Sequence, residues 1–124
     1  VTLMLEKAKT DENIKVVDDQ FGSPTYTYDL AIKIKELIDK NISSGTYHIT
    51  NSGSCSWYEF AEKIFGLSNL KPNLERIKSG DGPSKIKRPK CSVLISENLK
   101  KWGIESLRPW QEVLGDFMLE YNRK

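Results

Sequence analysis

Val16-Val17-Asp18-Asp19-Gln20-Phe21-Gly22-Ser23-Pro24-Thr25-Tyr26-Thr27-Tyr28-Asp29-Leu30-Ala31 holds, in order, a strand end, a stiff polar turn and a helix start. Ile14 to Val17 is apolar and β-branched, as a buried strand requires, and the acid, amide, glycine and proline behind it cannot continue a ladder. The chain must leave the sheet at Asp18. Gly22 permits a positive φ, Pro24 fixes its own φ and drives Ser23 towards an extended conformation, and Gln20, Ser23 and Thr25 bring hydrogen-bonding groups to the bend. Such a loop can hold a polar ligand.

On the N-terminal side, Leu3, Met4, Leu5 and Ala8 give a short apolar helical face with Glu6 and Lys7 turned outward, which reads as a longer helix cut at Val1. On the other side, Asp29 is suited to a helix N-terminus, and Leu30, Ala31, Ile34, Leu37 and Ile38 have the spacing of an amphipathic stripe opposite Lys33, Lys35, Glu36 and Asp39. A polar turn from Asn41 to Gly45 ends that helix. Thr46 to Thr50 reads as a strand, so strand, helix and strand follow one another and predict a parallel crossover pairing. Asn51 to Ser54 is a tight turn. Ser56 and Glu59 form a capping box for a helix whose apolar stripe is Trp57, Phe60, Ala61, Ile64 and Phe65, all expected in the core, with Gly66 as its left-handed stop.

Lys71 to Pro89 is mostly irregular, with a short strand around Leu74 to Ile77 and a turn-rich run from Ser79 to Ser84 that lacks the Gly-Lys-Ser/Thr ending of a phosphate-binding P-loop. Ser96 is placed to cap a short helix through Leu99 and Trp102 that Gly103 ends. Pro109 opens the final helix, whose apolar face is Trp110, Val113, Leu114, Phe117 and Tyr121. Trp102 and Trp110 bracket Ile104 and Leu107, an arrangement expected to anchor the C-terminal segment to the Trp57 helix.

At 124 residues and 38% hydrophobic content, the chain is one domain's worth of core. Lys and Arg exceed Asp and Glu only by 19 to 17, which argues against a general nucleic-acid or membrane partner. No apolar run reaches the roughly 18 residues of a membrane span, and no signal-peptide pattern opens the chain, so a cytoplasmic location is expected. Cys55 and Cys91 read as free thiols, and no Cys/His spacing offers a metal site. The one histidine, His48, lies within a predicted strand and reads as structural. Asp18 and Asp19 point to opposite sides if extended, which makes them a poor acid/base pair. No catalytic residue is expected in this chain.

Three ordered motifs resemble the dTDP-4-dehydrorhamnose reductase family of the extended short-chain dehydrogenase/reductases. They are Asp19-Gln20-Phe21-Gly22-Ser23-Pro24-Thr25 with Asp29-Leu30-Ala31, then Gly45-Thr46-Tyr47-His48-Ile49-Thr50-Asn51 with Cys55-Ser56-Trp57-Tyr58-Glu59-Phe60-Ala61, then Arg88-Pro89 with Ser92-Val93-Leu94 and Asn98-Leu99. The resemblance covers nearly the whole chain but only the C-terminal part of the family's protein. It implies an α/β parent, here an α+β piece of residues 1–124 with helices packed on a few short strands and the Rossmann half absent. The family's glycine-rich dinucleotide turn is missing, and none of Tyr26, Tyr28, Tyr47, Tyr58 or Tyr121 has a lysine four residues on.

The resemblance therefore implies a substrate-binding portion, inactive alone, of an enzyme that reduces the 4-keto group of a dTDP-linked sugar to give dTDP-L-rhamnose. NADPH or NADH would be held by the missing half, with Mg2+ a further expectation for the full-length family. The expected partners are the sugar nucleotide, the N-terminal half and a second copy in a homodimer. Gln20, Phe21, Ser23 and Thr25 are expected nearest the sugar nucleotide. Lys85, Lys87, Arg88 and Lys90 form a basic run, and Arg88, stiffened by Pro89, is expected at the diphosphate because a guanidinium bonds two phosphate oxygens at once. The alternatives are a noncatalytic regulatory subunit of the same fold, and a related sugar-nucleotide epimerase or reductase.

Overall fold

The computed structural model describes residues 1–10, 13–81 and 87–123. The chain opens with α1 (Thr2–Thr10), β1 (Asn13–Val17) and β2 (Phe21–Gly22), followed by α2 (Thr27–Asp39), β3 (Asn51–Ser52), β4 (Cys55–Ser56) and α3 (Trp57–Leu67). β5 (Asn73–Ile77), α4 (Glu97–Lys101), β6 (Leu107–Pro109) and α5 (Trp110–Tyr121) complete the order. The α+β expectation of helices on a few short strands is met. Among the described residues, no helix is long and apolar enough to cross a membrane.

The strands form three two-stranded ladders. β1 and β5 run parallel with Ile14 opposite Leu74 and Val16 opposite Arg76, so Ile14 and Val16 point inward by the two-residue alternation of a strand. β2 pairs antiparallel with β4, and β3 parallel with β6. Ile14 and Val16 meet Leu5 of α1, Ala61, Ile64 and Phe65 of α3, and Trp110, Leu114 and Met118 of α5 in the main core. The capping box opens α3 as expected: Glu59 N–H donates to Ser56 Oγ at 3.1 Å and Ser56 N–H to Glu59 Oε2 at 2.7 Å.

Several local expectations are corrected. Thr46 to Thr50 joins no ladder, because β-branched residues favour a strand but cannot supply its neighbour. Side chains hold its carbonyls instead: Ser96 Oγ donates to His48 O at 2.7 Å and Asn98 Nδ2 to Thr46 O at 2.8 Å. Ser96 is thereby drawn away from the cap of α4, which has no side-chain cap bond. The parallel pairing forms between β1 and β5, not with residues 46–50. Gly66 lies inside α3 and the helix ends at an extended Ser68; after α2, Asn41 is left-handed within the polar turn expected there. Pro109 precedes the first turn of α5 by one residue.

The face of α2 differs most from expectation. Ile34 and Ile38 are 45% and 71% exposed, Ala31 is exposed too, and only Leu37 of the expected stripe is buried. The inward face runs through Asp29, Lys33 and Leu37, four residues apart, because Arg108 draws the Asp29 carboxylate inward. Ile104 goes with Leu37 and Leu99 into a second, smaller cluster rather than against the Trp57 helix. Trp102 is half-exposed and does not bracket it.

Candidate functional site

The connection from β1 to α2 is tied down through its main chain. Phe21 N–H donates to Lys90 O at 2.8 Å, Phe21 O accepts from Ser92 N–H at 2.9 Å and Ser92 Oγ at 3.1 Å, and Gln20 O accepts from Trp57 N–H at 3.2 Å. The segment that follows Arg88 is thus bonded to Phe21. A strand-like register between Phe21 and Cys91 joins them, and a Cβ on Gly22 would meet Ser92 Oγ at 3.2 Å. Further along, Ser23 Oγ donates to Gly53 O at 3.0 Å, Thr25 Oγ1 to Ser23 O at 3.1 Å, and Tyr26 N–H to Asn51 Oδ1 at 2.8 Å.

Gly53 is in the left-handed region at φ 83°, and a Cβ there would meet Trp110 Cδ1 at 3.2 Å, so the turn packs flat on that indole. Asn51 is fully buried: besides accepting from Tyr26, its Nδ2 donates to Arg108 O at 3.0 Å and Asp29 Oδ2 at 3.2 Å. Arg108 bonds both Asp29 oxygens, Nε at 2.9 Å and Nη2 at 3.1 Å, and donates from Nη1 to Asp116 at 2.6 Å. That guanidinium, helped by Asn51, holds the Asp29 carboxyl below its ordinary value against the opposing cost of burial. One clamp fixes the end of the loop, the start of α2 and the start of α5.

At the other end, Asp18 pairs with Lys78 at 2.8 Å. Asp19 Oδ1 accepts from Ser79 Oγ at 2.7 Å and Ser79 N–H at 2.9 Å, and the serine hydroxyl holds its carboxyl below the usual value. Gln20 Nε2 donates to the same hydroxyl at 2.8 Å. The two aspartates are anchors for the end of β5, not an acid/base pair.

Three cavities open along this loop. Gln20 and Arg88 line one of about 350 Å³ with Ser79, Lys7 and Lys15. Ser23 lines a second of about 230 Å³, and Thr25 a third, mainly apolar, of about 440 Å³. Phe21 lines none of the three; its backbone carries the ladder and its ring is exposed. Gln20 and Arg88 are therefore brought together, while Ser23 and Thr25 occupy neighbouring walls. Lys87 and Lys90 are exposed, and Lys85, like the run at 82–84, lies outside the described residues.

Trp57 was missed by sequence reasoning, which placed it in the core. It is 50% exposed and lines all three cavities. The available signal was its place as first residue after the capping serine, since helical side chains tilt towards the N-terminus and so towards the preceding loop. The thiols are as expected: Cys91 is exposed, and Cys55 is buried, burial pushing its pKa up to about 11.

A family model described as the RmlD substrate binding domain matches residues 1–123. The chain belongs to that family. The resemblance read from the three motifs is thus correct. A spore coat polysaccharide biosynthesis protein, SpsK, of Bacillus subtilis is 40% identical over 120 residues, and the match covers 97% of this chain and 41% of that protein. A dTDP-4-dehydrorhamnose reductase of Mycolicibacterium smegmatis is 35% identical over 117 residues, covering 94% of this chain and 36% of its own length. The crystal structure of a dTDP-4-dehydrorhamnose reductase from Bacillus anthracis, solved in complex with NADP, superposes with a TM-score of 0.90 at 40% identity, covering 96% of this chain and 42% of that one. This RmlD-type chain spans about two fifths of the relatives it matches and corresponds to their C-terminal part.

The connection from β1 to α2 holds a single glycine, Gly22, and is not the glycine-rich turn that cradles a dinucleotide's pyrophosphate. The Mg2+ expectation gains no support: among the described residues, no group of three or more His, Cys, Asp or Glu could hold a metal ion.

Proposed function

We propose that residues 1–124 are the substrate-binding portion of a dTDP-4-dehydrorhamnose reductase, a single partial domain that holds a dTDP-linked 4-keto sugar. The whole protein reduces that keto group with NADPH or NADH, and the dinucleotide belongs to the remaining length of the protein. The observation that carries this reading is the meeting of Gln20 and Arg88, far apart in sequence, on one cavity with Ser79, Lys7 and Lys15. A guanidinium at a pocket of this size suits a diphosphate, since Arg88 is able to bond two of its oxygens.

Ser23 and Thr25 form the adjoining walls towards the sugar, and Phe21 braces them through its backbone pairing with Ser56 and its bonds to Lys90 and Ser92. Because the loop is bonded through its main chain to residues 51–57 and 90–92, little ordering remains to be done when a ligand arrives. The dinucleotide-binding half and a second copy in a homodimer are the proposed protein partners, and the cytoplasm the proposed location. Titration calorimetry with dTDP tests the reading. Saturable heat, weakened about tenfold or more by Arg88→Ala, is expected from loss of a charge-assisted contact. No heat at millimolar dTDP, or heat unchanged in Arg88→Ala, would remove it.

A further inference from the structure

The indole of Trp57 is the one side chain that walls all three cavities. Exposure alone does not single it out, since Trp102 is equally exposed and lines none of them. Its surroundings do. The backbone N–H of Trp57 donates to Gln20 O at 3.2 Å, which fixes the indole's root to the residue that shares a cavity with Arg88. Its ring leans edge-on against Phe60, centroids 6.3 Å apart, and Phe60 leans in turn on buried Trp110 at 5.7 Å. A half-exposed ring is thereby backed by rings seated in the core.

The cavities that Trp57 lines differ in charge. One cavity carries Gln20, Ser79, Arg88 and two lysines among apolar residues of α1 and β1; the other two, which share Pro24 and Phe60, are lined by no Lys, Arg, Asp or Glu. A thymidine diphosphate has the same division, an anionic diphosphate at one end and a flat, methyl-bearing ring at the other. An aromatic base stacks on an indole through its π-face, and this costs little ordering where the indole is already buttressed. Resting on the reading that this chain binds a dTDP-sugar, we infer that Trp57 is the stacking platform for the thymine base while Arg88 holds the diphosphate. Trp57 is then a ligand-contacting residue that selects for a planar base, and the core assignment of the Trp57 stripe holds only from Phe60 onward.

Fluorescence and calorimetry on the same chain test this. With dTDP, the wild type should show quenched tryptophan emission, and Trp57→Phe should lose that quenching although Trp102 and Trp110 remain. Trp57→Ala should bind dTDP about tenfold more weakly, the scale of one lost base–aromatic stack, and Trp57→Phe only slightly more weakly. Inorganic pyrophosphate, which has no base, should bind all three proteins alike. Affinity for dTDP within twofold of wild type in Trp57→Ala, or equal losses for dTDP and pyrophosphate, would overturn the stacking role and leave the diphosphate site standing. If Trp57→Ala does not fold, quenching that persists in Trp57→Phe overturns it instead. Wild-type protein that binds no dTDP overturns both readings together.

Discussion

The two hydrophobic clusters of this domain are built from similar residues but closed to different degrees. Around β1, α3 and α5, Ile14, Ala61, Ile64, Leu114 and Met118 are buried against one another. Around α2 and α4, only Leu37, Leu99 and Ile104 are buried, while Tyr28, Ile32, Ile34 and Ile38 leave an apolar surface on α2 and the strand-like sequence 46–50 pairs with nothing described. What separates them is the number of partners the chain supplies. The first region has packing on several sides. The second is joined to it by a polar clamp, Asp29, Asn51 and Arg108, beside the short β3–β6 ladder.

Substitutions can break that contrast. Ile64→Ala, at a site with no exposure, should cost about 2–5 kcal/mol by removing buried methylenes and leaving a cavity, seen as a lower denaturant midpoint. Arg108→Ala should cost about 1–3 kcal/mol, because the Asp29 carboxylate would stay buried without its guanidinium, while Asn51 keeps the main-chain oxygen of residue 108.

The clamp also has a pH signature. Asp29 has a lowered pKa in the fold, so its contribution to stability is present above the unfolded carboxylate value of about 3.9 and is lost as pH falls below it. Thermal unfolding at pH 7 and pH 3 should show a smaller difference in Arg108→Ala than in the wild type. Ile38→Ser, by contrast, should change stability by no more than about 0.5 kcal/mol, since the residue is 71% exposed. A loss near that of Ile64→Ala would show that the α2 face is packed after all. Cysteine chemistry sharpens the same contrast: with iodoacetamide at pH 8, mass spectrometry should find Cys91 alkylated in the native protein and Cys55 only after unfolding.

The sequence made most of the first region legible, because its elements carry local instructions. The Ser56/Glu59 capping box, the 57–65 stripe and the β-branched Ile14 to Val17 each act within a few residues, and each forms as read apart from the exposed Trp57 and the Gly66 stop. The second region was misread because the deciding partner lies far along the chain. Nothing near Asp29 announces that Arg108 will turn it inward, and nothing in Thr46 to Thr50 reveals whether a neighbouring strand exists. The candidate site divides in the same way. Gln20 and Arg88 were found through the motifs, whereas the cavity that unites them depends on the bond from Phe21 to Lys90, which no spacing in the sequence specifies.

The central claim is that the loop leaving β1, with Arg88 beside it, receives a thymidine diphosphate. Backbone amide shifts followed by NMR during titration with dTDP test it most directly. Saturable changes centred on Gln20, Trp57, Ser79 and Arg88 are expected. Changes confined to α2 or α4, or none at millimolar dTDP, would contradict it.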